Sequence, residues 1–134
     1  MKKILYAILW AWQMPQHLLG LFLVWMFGYE SKYEHRGSVI HVCRTFPSAI
    51  SLGRYIIVNK DEPVKVAHEC GHSAQSRILG PLYFITIGIW SGIRSLFRLY
   101  KKGHYYDSFP EDWADRLGGV KKNEDGKRYA EDDR

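Results

Sequence analysis

The stretch His68-Glu69-Cys70-Gly71-His72 (HECGH) decides how the rest of the chain is interpreted. It matches the pattern HExxH, in which two histidines stand four residues apart. On a helix this spacing places both imidazoles on one face, one turn apart, so that both can bind one metal ion. Glu69 lies beside them and can take a proton from a water molecule whose pKa the metal lowers. The alternative interpretation is a polar helix face that binds no metal.

The residues around this motif indicate that it lies on a helix. Asp61 is a candidate N-cap, and Pro63 suits the first turn of a helix. Gly80-Pro81 is a typical end signal. We therefore predict a helix from Pro63 to Leu79.

Two carboxylates further along the chain can supply the third metal ligand that HExxH lacks. A hydrolytic zinc site needs three protein ligands and an open position. Glu111 and Asp115 share one face of a helix predicted to run from about Phe109-Pro110 to Gly118-Gly119. Glu111 can bind the metal, while Asp115 can accept a hydrogen bond from the far nitrogen of a ligating histidine. Taken alone, these carboxylates also fit a solvated first turn of a helix.

An apolar run, residues 4–27, contains no Asp, Glu, Lys or Arg and follows Lys2 and Lys3. As one helix it would extend about 36 Å, enough to cross a bilayer. Polar or helix-breaking residues interrupt its centre: Gln13, Pro15, Gln16 and His17. A kinked spanning helix and a re-entrant pair of half-helices both fit this pattern. We predict that residues 1–28 form a membrane anchor.

The chain between anchor and motif helix has the composition of a small sheet. Residues 29–37 are polar and predict a linker. Ser38–Cys43 and Ile50–Asn59 are rich in β-branched residues and predict two strands that pair antiparallel. With the two helices, this gives an α+β metallopeptidase-like domain over residues 29–120.

A second apolar run, residues 78–93, would extend only about 24 Å as a helix, too short to cross a bilayer twice. Because His72 and Glu111 must meet at one ion, the chain between them has to return to its starting side. We predict that residues 78–100 form a re-entrant or interfacial segment that contacts the membrane; packing as core against the motif helix is the alternative. Residues 121–134 alternate in charge and predict a disordered tail.

Composition favours a membrane partner over a nucleic acid. The chain has a net charge of +5, is 46% hydrophobic and 15% aromatic, and carries no nucleic-acid-binding signature. Lys and Arg are concentrated after residue 31, which places the catalytic part on the cytoplasmic side by the positive-inside bias. The two cysteines, Cys43 and Cys70, are too few for a disulfide framework and are expected to be reduced.

HExxH followed by ExxxD resembles the gluzincin clan of zinc peptidases, the thermolysin-like group. Residues 68–80 (HECGHSAQSRILG) and 115–120 (DRLGGV) also resemble small uncharacterised bacterial membrane proteins that carry this signature. The resemblance implies a zincin-like core in a bacterial cell membrane and one Zn²⁺ per chain. His68, His72 and Glu111 would be its ligands.

The same resemblance implies roles for further residues. Glu69 would be the general base of a metalloendopeptidase that cleaves a peptide or protein substrate. An antiparallel edge strand would align that substrate, and Ser51, Leu52 and Gly53 are the matching residues here.

His104 precedes the predicted helix that carries Glu111, and it is a candidate to stabilise the oxyanion of the reaction. It is also relevant to the main alternative function, a non-catalytic membrane-anchored zinc-binding or adaptor protein. A closed, structural metal site would need a fourth ligand, for which His104 and Cys70 are the candidates. Cys70 is two residues from each histidine and therefore points off their shared face. A third interpretation is a small membrane protein in which both motifs occur by chance.

Overall fold

The computed structural model describes residues 1–90, 93 and 111–132, and their arrangement confirms the α+β fold class. The helices are α1 (Lys2–Trp12), α2 (Met14–Phe27), α3 (Pro63–Leu79) and α4 (Glu111–Gly118). The strands are β1 (Ser31–His35), β2 (Ser38–Val42), β3 (Ala49–Leu52), β4 (Tyr55–Val58), β5 (Lys121–Lys122) and β6 (Arg128–Tyr129). A 3₁₀ turn at Gly80–Leu82 and a π-helix at Phe84–Ile89 follow α3. The motif helix, α3, has the predicted bounds.

The main sheet is mixed, with the strand order β1-β2-β4-β3. The predicted antiparallel pairing of Ser38–Cys43 with Ile50–Asn59 is wrong, because the second segment folds into two strands and β4 runs parallel to β2. The chain reverses at Gly53-Arg54. Gly53 has a φ of 63°, the conformation that the first central residue of a type II′ turn requires.

The predicted linker, residues 29–37, also differs from the structure. Ser31–His35 forms β1, which pairs antiparallel with β2 through a turn at Arg36-Gly37. The reason is a single inward-facing aromatic side chain in an otherwise polar segment. Tyr33 packs on the core beneath the sheet, and its hydroxyl donates a 2.7 Å hydrogen bond to Asp61.

The sheet buries apolar side chains on both faces. Against α3 it packs one cluster: Ile40, Val42, Ile56, Val58, Val66 and Cys70. Against α2 it packs a second: Cys43, Phe46 and Ile57, with Leu23, Val24 and Ile50 at its margin. The two cysteines are therefore buried on opposite sides of the sheet, and neither takes part in a disulfide bond. The order of layers is α2, sheet, α3, α4.

The apolar N-terminal run is divided into α1 and α2, which are bent by 72° at Gln13. The polar residues at the bend are buried and bind the C-terminal end of α3. Gln13 donates a 2.7 Å hydrogen bond to Ser76, and Gln16 donates to the carbonyl of Gly80. The amide N–H groups of both glutamines thus find partners inside the protein.

Among the described residues no single helix is long and apolar enough to cross a bilayer, although α1 and α2 together meet that criterion as a bent pair. The apolar residues of this pair are largely exposed. Side chains that are at least half exposed include Ile4, Leu5, Tyr6, Ile8, Leu18, Phe22, Trp25 and Met26.

The predicted membrane-contacting segment, 78–100, lies only partly within the described residues. Its described part also exposes apolar side chains: Ile78, Leu82, Ile85, Ile89, Trp90 and Ile93. Residues 91, 92 and 94–110 lie outside the described part of the chain.

The C-terminal segment differs from the predicted disordered tail over residues 121–132. Lys121–Lys122 and Arg128–Tyr129 pair as a short antiparallel hairpin. Alternating charge predicts disorder because it offers no apolar face to bury. Here an ion pair replaces that face, since the guanidinium of Arg128 binds Asp115 on α4.

Candidate metal centre

The two motif helices, α3 and α4, touch through small residues. A Cβ atom added to Gly71 would lie 1.8 Å from the carbonyl oxygen of Ala114, and one added to Gly118 would lie 1.9 Å from that of Ala67. Each helix therefore contributes an Ala-x-x-x-Gly pair to the contact, one turn apart. Only glycine at positions 71 and 118 allows the backbones to come this close. The close approach brings Glu111 to the histidines of α3.

His68, His72 and Glu111 converge as the sequence predicts. The Nε2 atoms of both histidines lie 3.0 Å from Oε2 of Glu111, and one ligand atom from each residue lies within 4.8 Å of the others. All three residues are buried. Tetrahedral zinc with bonds of about 2.0–2.1 Å separates its ligand atoms by about 3.3 Å. This buried group can therefore hold a metal ion.

A hydrogen bond from the second ring nitrogen fixes the orientation of each histidine. Nδ1 of His68 donates to Asp115 over 2.6 Å, and Nδ1 of His72 donates to Oε1 of Gln75 over 2.7 Å. With Nδ1 protonated, Nε2 is the atom that offers a lone pair to a cation. Asp115 thus has the predicted place. Gln75 was not among the predicted residues, although its position three residues after His72 on the same helix could have indicated it.

Asp115 is itself held by the C-terminal hairpin. Arg128 donates to both of its carboxylate oxygens, with Nη2 at 2.6 Å from Oδ1 and Nε at 2.9 Å from Oδ2. This bidentate geometry is the strong form of an arginine–carboxylate pair. A chain of contacts therefore runs from β6 through Asp115 to His68.

The carboxylates reverse the effect of burial on the histidines. Burial lowers the pKa of His68, but the hydrogen bonds to Asp115 and Glu111 outweigh it and raise the pKa to about 9. For His72, burial likewise lowers the pKa and the Glu111 hydrogen bond reverses the direction. Burial raises the pKa of Asp115, but His68 and Arg128 bring it below its ordinary value. The carboxylates around the two imidazoles thus favour a bound cation, whether a proton or a metal ion.

Glu69 lies beside the three candidate ligands without joining them. It is buried, and among the described residues its Oε2 atom has no hydrogen-bond partner. Burial raises the pKa of its carboxyl group above the ordinary value. An acceptor oxygen of raised basicity next to a metal-binding group is what a general base for water requires.

The three residues predicted to align substrate, Ser51, Leu52 and Gly53, are buried at the end of β3. The carbonyl of Gly53 accepts a 2.8 Å hydrogen bond from Ser73, and a Cβ atom at this position would lie 2.4 Å from Nδ1 of His17. Gly53 is thus occupied by contacts inside the protein. β3 is an edge strand, and among the described strands none pairs with its outer side.

Two further candidates have different outcomes. His104 lies outside the described residues. Cys70 packs in the apolar cluster between α3 and the sheet, away from the histidine face, which removes it as a fourth ligand.

Comparison with protein-family models, with curated proteins and with solved structures finds no match for this chain.

Proposed function

We propose that this protein is a membrane-associated, gluzincin-like zinc peptidase. The observation that carries the proposal is the convergence of His68, His72 and Glu111 from two helices, with Glu69 buried beside them and an acceptor oxygen unused among the described residues. A polar helix face without a metal does not require a carboxylate from a second helix, and a purely structural site has no use for Glu69.

The donor set fits zinc. Two imidazoles and one carboxylate are three protein ligands, the number typical of catalytic zinc sites, and the mixed N and O donors suit zinc better than calcium or magnesium. When bound, zinc would polarise the scissile carbonyl and lower the pKa of a water molecule. Asp115 and Gln75 would hold the two imidazoles in the ligating orientation.

In the proposed mechanism Glu69 moves the proton. Its carboxylate removes a proton from the attacking water as the oxygen forms a bond to the carbonyl carbon. The protonated Glu69 then gives this proton to the nitrogen of the leaving amine as the C–N bond breaks. The raised pKa of Glu69 suits both steps, because the group has to accept and then release the proton.

The outer edge of β3 is the proposed place for the substrate backbone. In the β3–β4 hairpin, Leu52 pairs with Tyr55 and Ile50 pairs with Ile57. The backbone N–H of Asn59 donates to the carbonyl of Ser48, so every second residue of β3, counted from Ser48, turns its backbone groups toward β4. This register directs the backbone N–H and carbonyl of Ser51 outward. A substrate added as a further strand would use these groups. Of the three predicted residues, Ser51 is thus the best placed.

Membrane association is supported by the surface of α1 and α2. Exposed apolar side chains cover both helices, and Lys2 and Lys3 provide cations at the start of α1. An exposed apolar surface of this extent marks an interaction site, and a bilayer is the partner whose chemistry matches it. The excess of Lys and Arg after residue 31 favours a cytoplasmic catalytic part in a bacterial cell membrane.

The test is elemental analysis of detergent-purified protein together with cleavage of unstructured protein substrates, read by mass spectrometry of new termini. We expect about one zinc per chain in the wild type, and loss of both zinc and cleavage in His72→Ala and Glu111→Ala. Glu69→Gln should keep its zinc and lose activity by about 10²–10⁴-fold. Wild-type protein that binds no zinc would refute the proposal. Bound zinc without cleavage would favour the non-catalytic adaptor.

A further inference from the structure

A cavity of about 490 Å³ lies at the C-terminal end of α3, and none of the candidate metal-binding residues lines it. Its walls come from α1, the start of α2, both hairpin turns of the main sheet and the last turn of α3. It is therefore a second site, separate from the candidate metal centre.

The cavity is strongly basic. Arg36, Arg54 and Arg77 line it, and among its described lining residues there is no carboxylate. Arg77 is half-buried and donates to two neutral acceptors, the carbonyl of Arg36 and the hydroxyl of Ser38. No carboxylate of the described residues lies within ion-pair distance of Arg77, whereas Arg54 has an exposed pair with Glu34. A half-buried guanidinium without a counter-ion in the described part of the chain favours an anionic ligand.

A buried polar atom at the same cavity points to a ligand independently. His17 lines the cavity and is only 1% exposed. Its Nδ1 accepts a 3.1 Å hydrogen bond from the backbone N–H of Arg54, which puts the ring proton on Nε2. Among the described residues this Nε2 has no hydrogen-bond partner. A buried donor of this kind is costly until an acceptor reaches it.

The remaining wall is apolar and belongs to α1. Tyr6, Leu9 and Trp10 line it, and Tyr6 and Trp10 also belong to the exposed apolar surface of that helix. The cavity thus joins a cationic floor to a surface suited to acyl chains, with aromatic side chains at the border, as at a membrane interface.

We infer that this cavity binds the headgroup of an anionic phospholipid, with the phosphate at Arg54 and Arg77 and an acyl chain along α1. Planar guanidinium groups suit phosphate because they bind two of its oxygens at once. The inference concerns lipid recognition and does not depend on the metal centre or on peptidase activity.

The test is native mass spectrometry of the full-length protein released from detergent micelles, with phosphatidylglycerol, phosphatidylcholine or inorganic phosphate added. We expect the wild type to bind phosphatidylglycerol at least about tenfold more tightly than phosphatidylcholine. Arg54→Lys combined with Arg77→Lys keeps the net charge and should weaken phosphatidylglycerol binding by about tenfold, because point charges replace bidentate contacts. Arg44→Lys, at an exposed arginine outside the cavity, is the matched control and should bind as the wild type.

Three results would overturn the inference. Equal binding of both lipids would show that the cavity does not select charge. Unchanged phosphatidylglycerol binding in the double variant would assign the preference to the diffuse surface charge. Inorganic phosphate that binds as tightly as the lipid would make this a phosphate site. Zinc content, measured on the same samples, reports the metal centre separately, so that failure of either proposal can be distinguished from failure of the other.

Discussion

Replacing Gly71, one of the two unspecified positions of HExxH, should strongly weaken metal binding although no candidate ligand is changed. In Gly71→Ala the new Cβ atom would lie 1.8 Å from the carbonyl oxygen of Ala114, whereas ordinary contact begins at 3.4 Å. Relief of this overlap requires α3 and α4 to separate by about 1.6 Å. Metal–ligand distances tolerate changes of only about 0.2 Å. Glu111, one turn from Ala114, would therefore leave the coordination sphere.

Helix propensity and tertiary packing predict opposite changes in protein stability for this substitution, so the measurement distinguishes between them. Alanine is favoured over glycine within a helix by about 1 kcal/mol, so local propensity predicts a more stable protein. Overpacking of a close contact costs about 1–3 kcal/mol, and the backbone carbonyl that meets the new Cβ cannot rotate away. We expect a net loss of stability and a zinc affinity lower by about 100-fold or more, since one of three ligands is lost.

The assay is zinc content and thermal unfolding of the purified variant. Gly118→Ala, which places a Cβ atom 1.9 Å from the carbonyl of Ala67, should behave in the same way. Ile78→Ala also raises helix propensity in α3 but adds no Cβ atom at the contact, and it should keep its zinc. A Gly71→Ala protein with one zinc per chain and a higher Tm than the wild type would refute the proposed packing of α3 on α4.

Three further predictions concern other contacts of the site and of the N-terminal helices. Arg128→Ala should weaken zinc binding by about tenfold, because Asp115 loses the partner that orients it toward His68, while Lys127→Ala should have no effect; zinc titration against a chelating dye measures both. In chelator-treated protein, the raised pKa of His68 contributes about 3 kcal/mol to the free energy of unfolding. This contribution is fully present below pH 6.5 and is lost as the pH rises through about 9, so the stability measured with denaturant should fall across this range. Zinc affinity should rise over the same range, because protons compete less with the metal. Gln13→Leu should lower the free energy of unfolding in detergent by about 1–3 kcal/mol, although Leu suits lipid better, because a buried hydrogen bond to α3 is lost.

The sequence predicts the helices of the site well because their signals are local. Pro63 and the Gly80-Pro81 pair mark the two ends of α3, and the spacing of His68 and His72 is set by the helical repeat alone. The helix from Glu111 to Gly118 ends where its glycine predicts. Convergence of His68, His72 and Glu111 is then expected on chemical grounds, since the two histidines of HExxH would need a third ligand to form a zinc site.

The sheet could not be predicted in the same way because strand neighbours are distant in sequence. The run Ile50–Asn59 has the composition of one strand, but in the structure it reverses at Gly53-Arg54 and forms a hairpin. Once this segment reverses, its second half can lie parallel to β2, an arrangement that no local pattern specifies. The C-terminal hairpin could not be predicted for the same reason. Its Arg128 is held by Asp115 of α4, which is distant from the hairpin in the sequence pattern but close in the fold.

The polar break in the N-terminal run shows why composition alone gave two open alternatives for the anchor. Gln13 and Gln16 are costly in lipid, but in the structure they attach the bend between α1 and α2 to Ser76 and Gly80 at the end of α3. Because α3 is uninterrupted from His72 to Leu79, this bend is attached to the same helix that carries His68 and His72. The eight residue steps from His72 to Gly80 correspond to about 12 Å of helix. If α1 and α2 lie in the bilayer, a substrate would therefore meet the metal centre close to the membrane surface, which favours juxtamembrane or unfolded membrane-bound segments over soluble proteins as substrates.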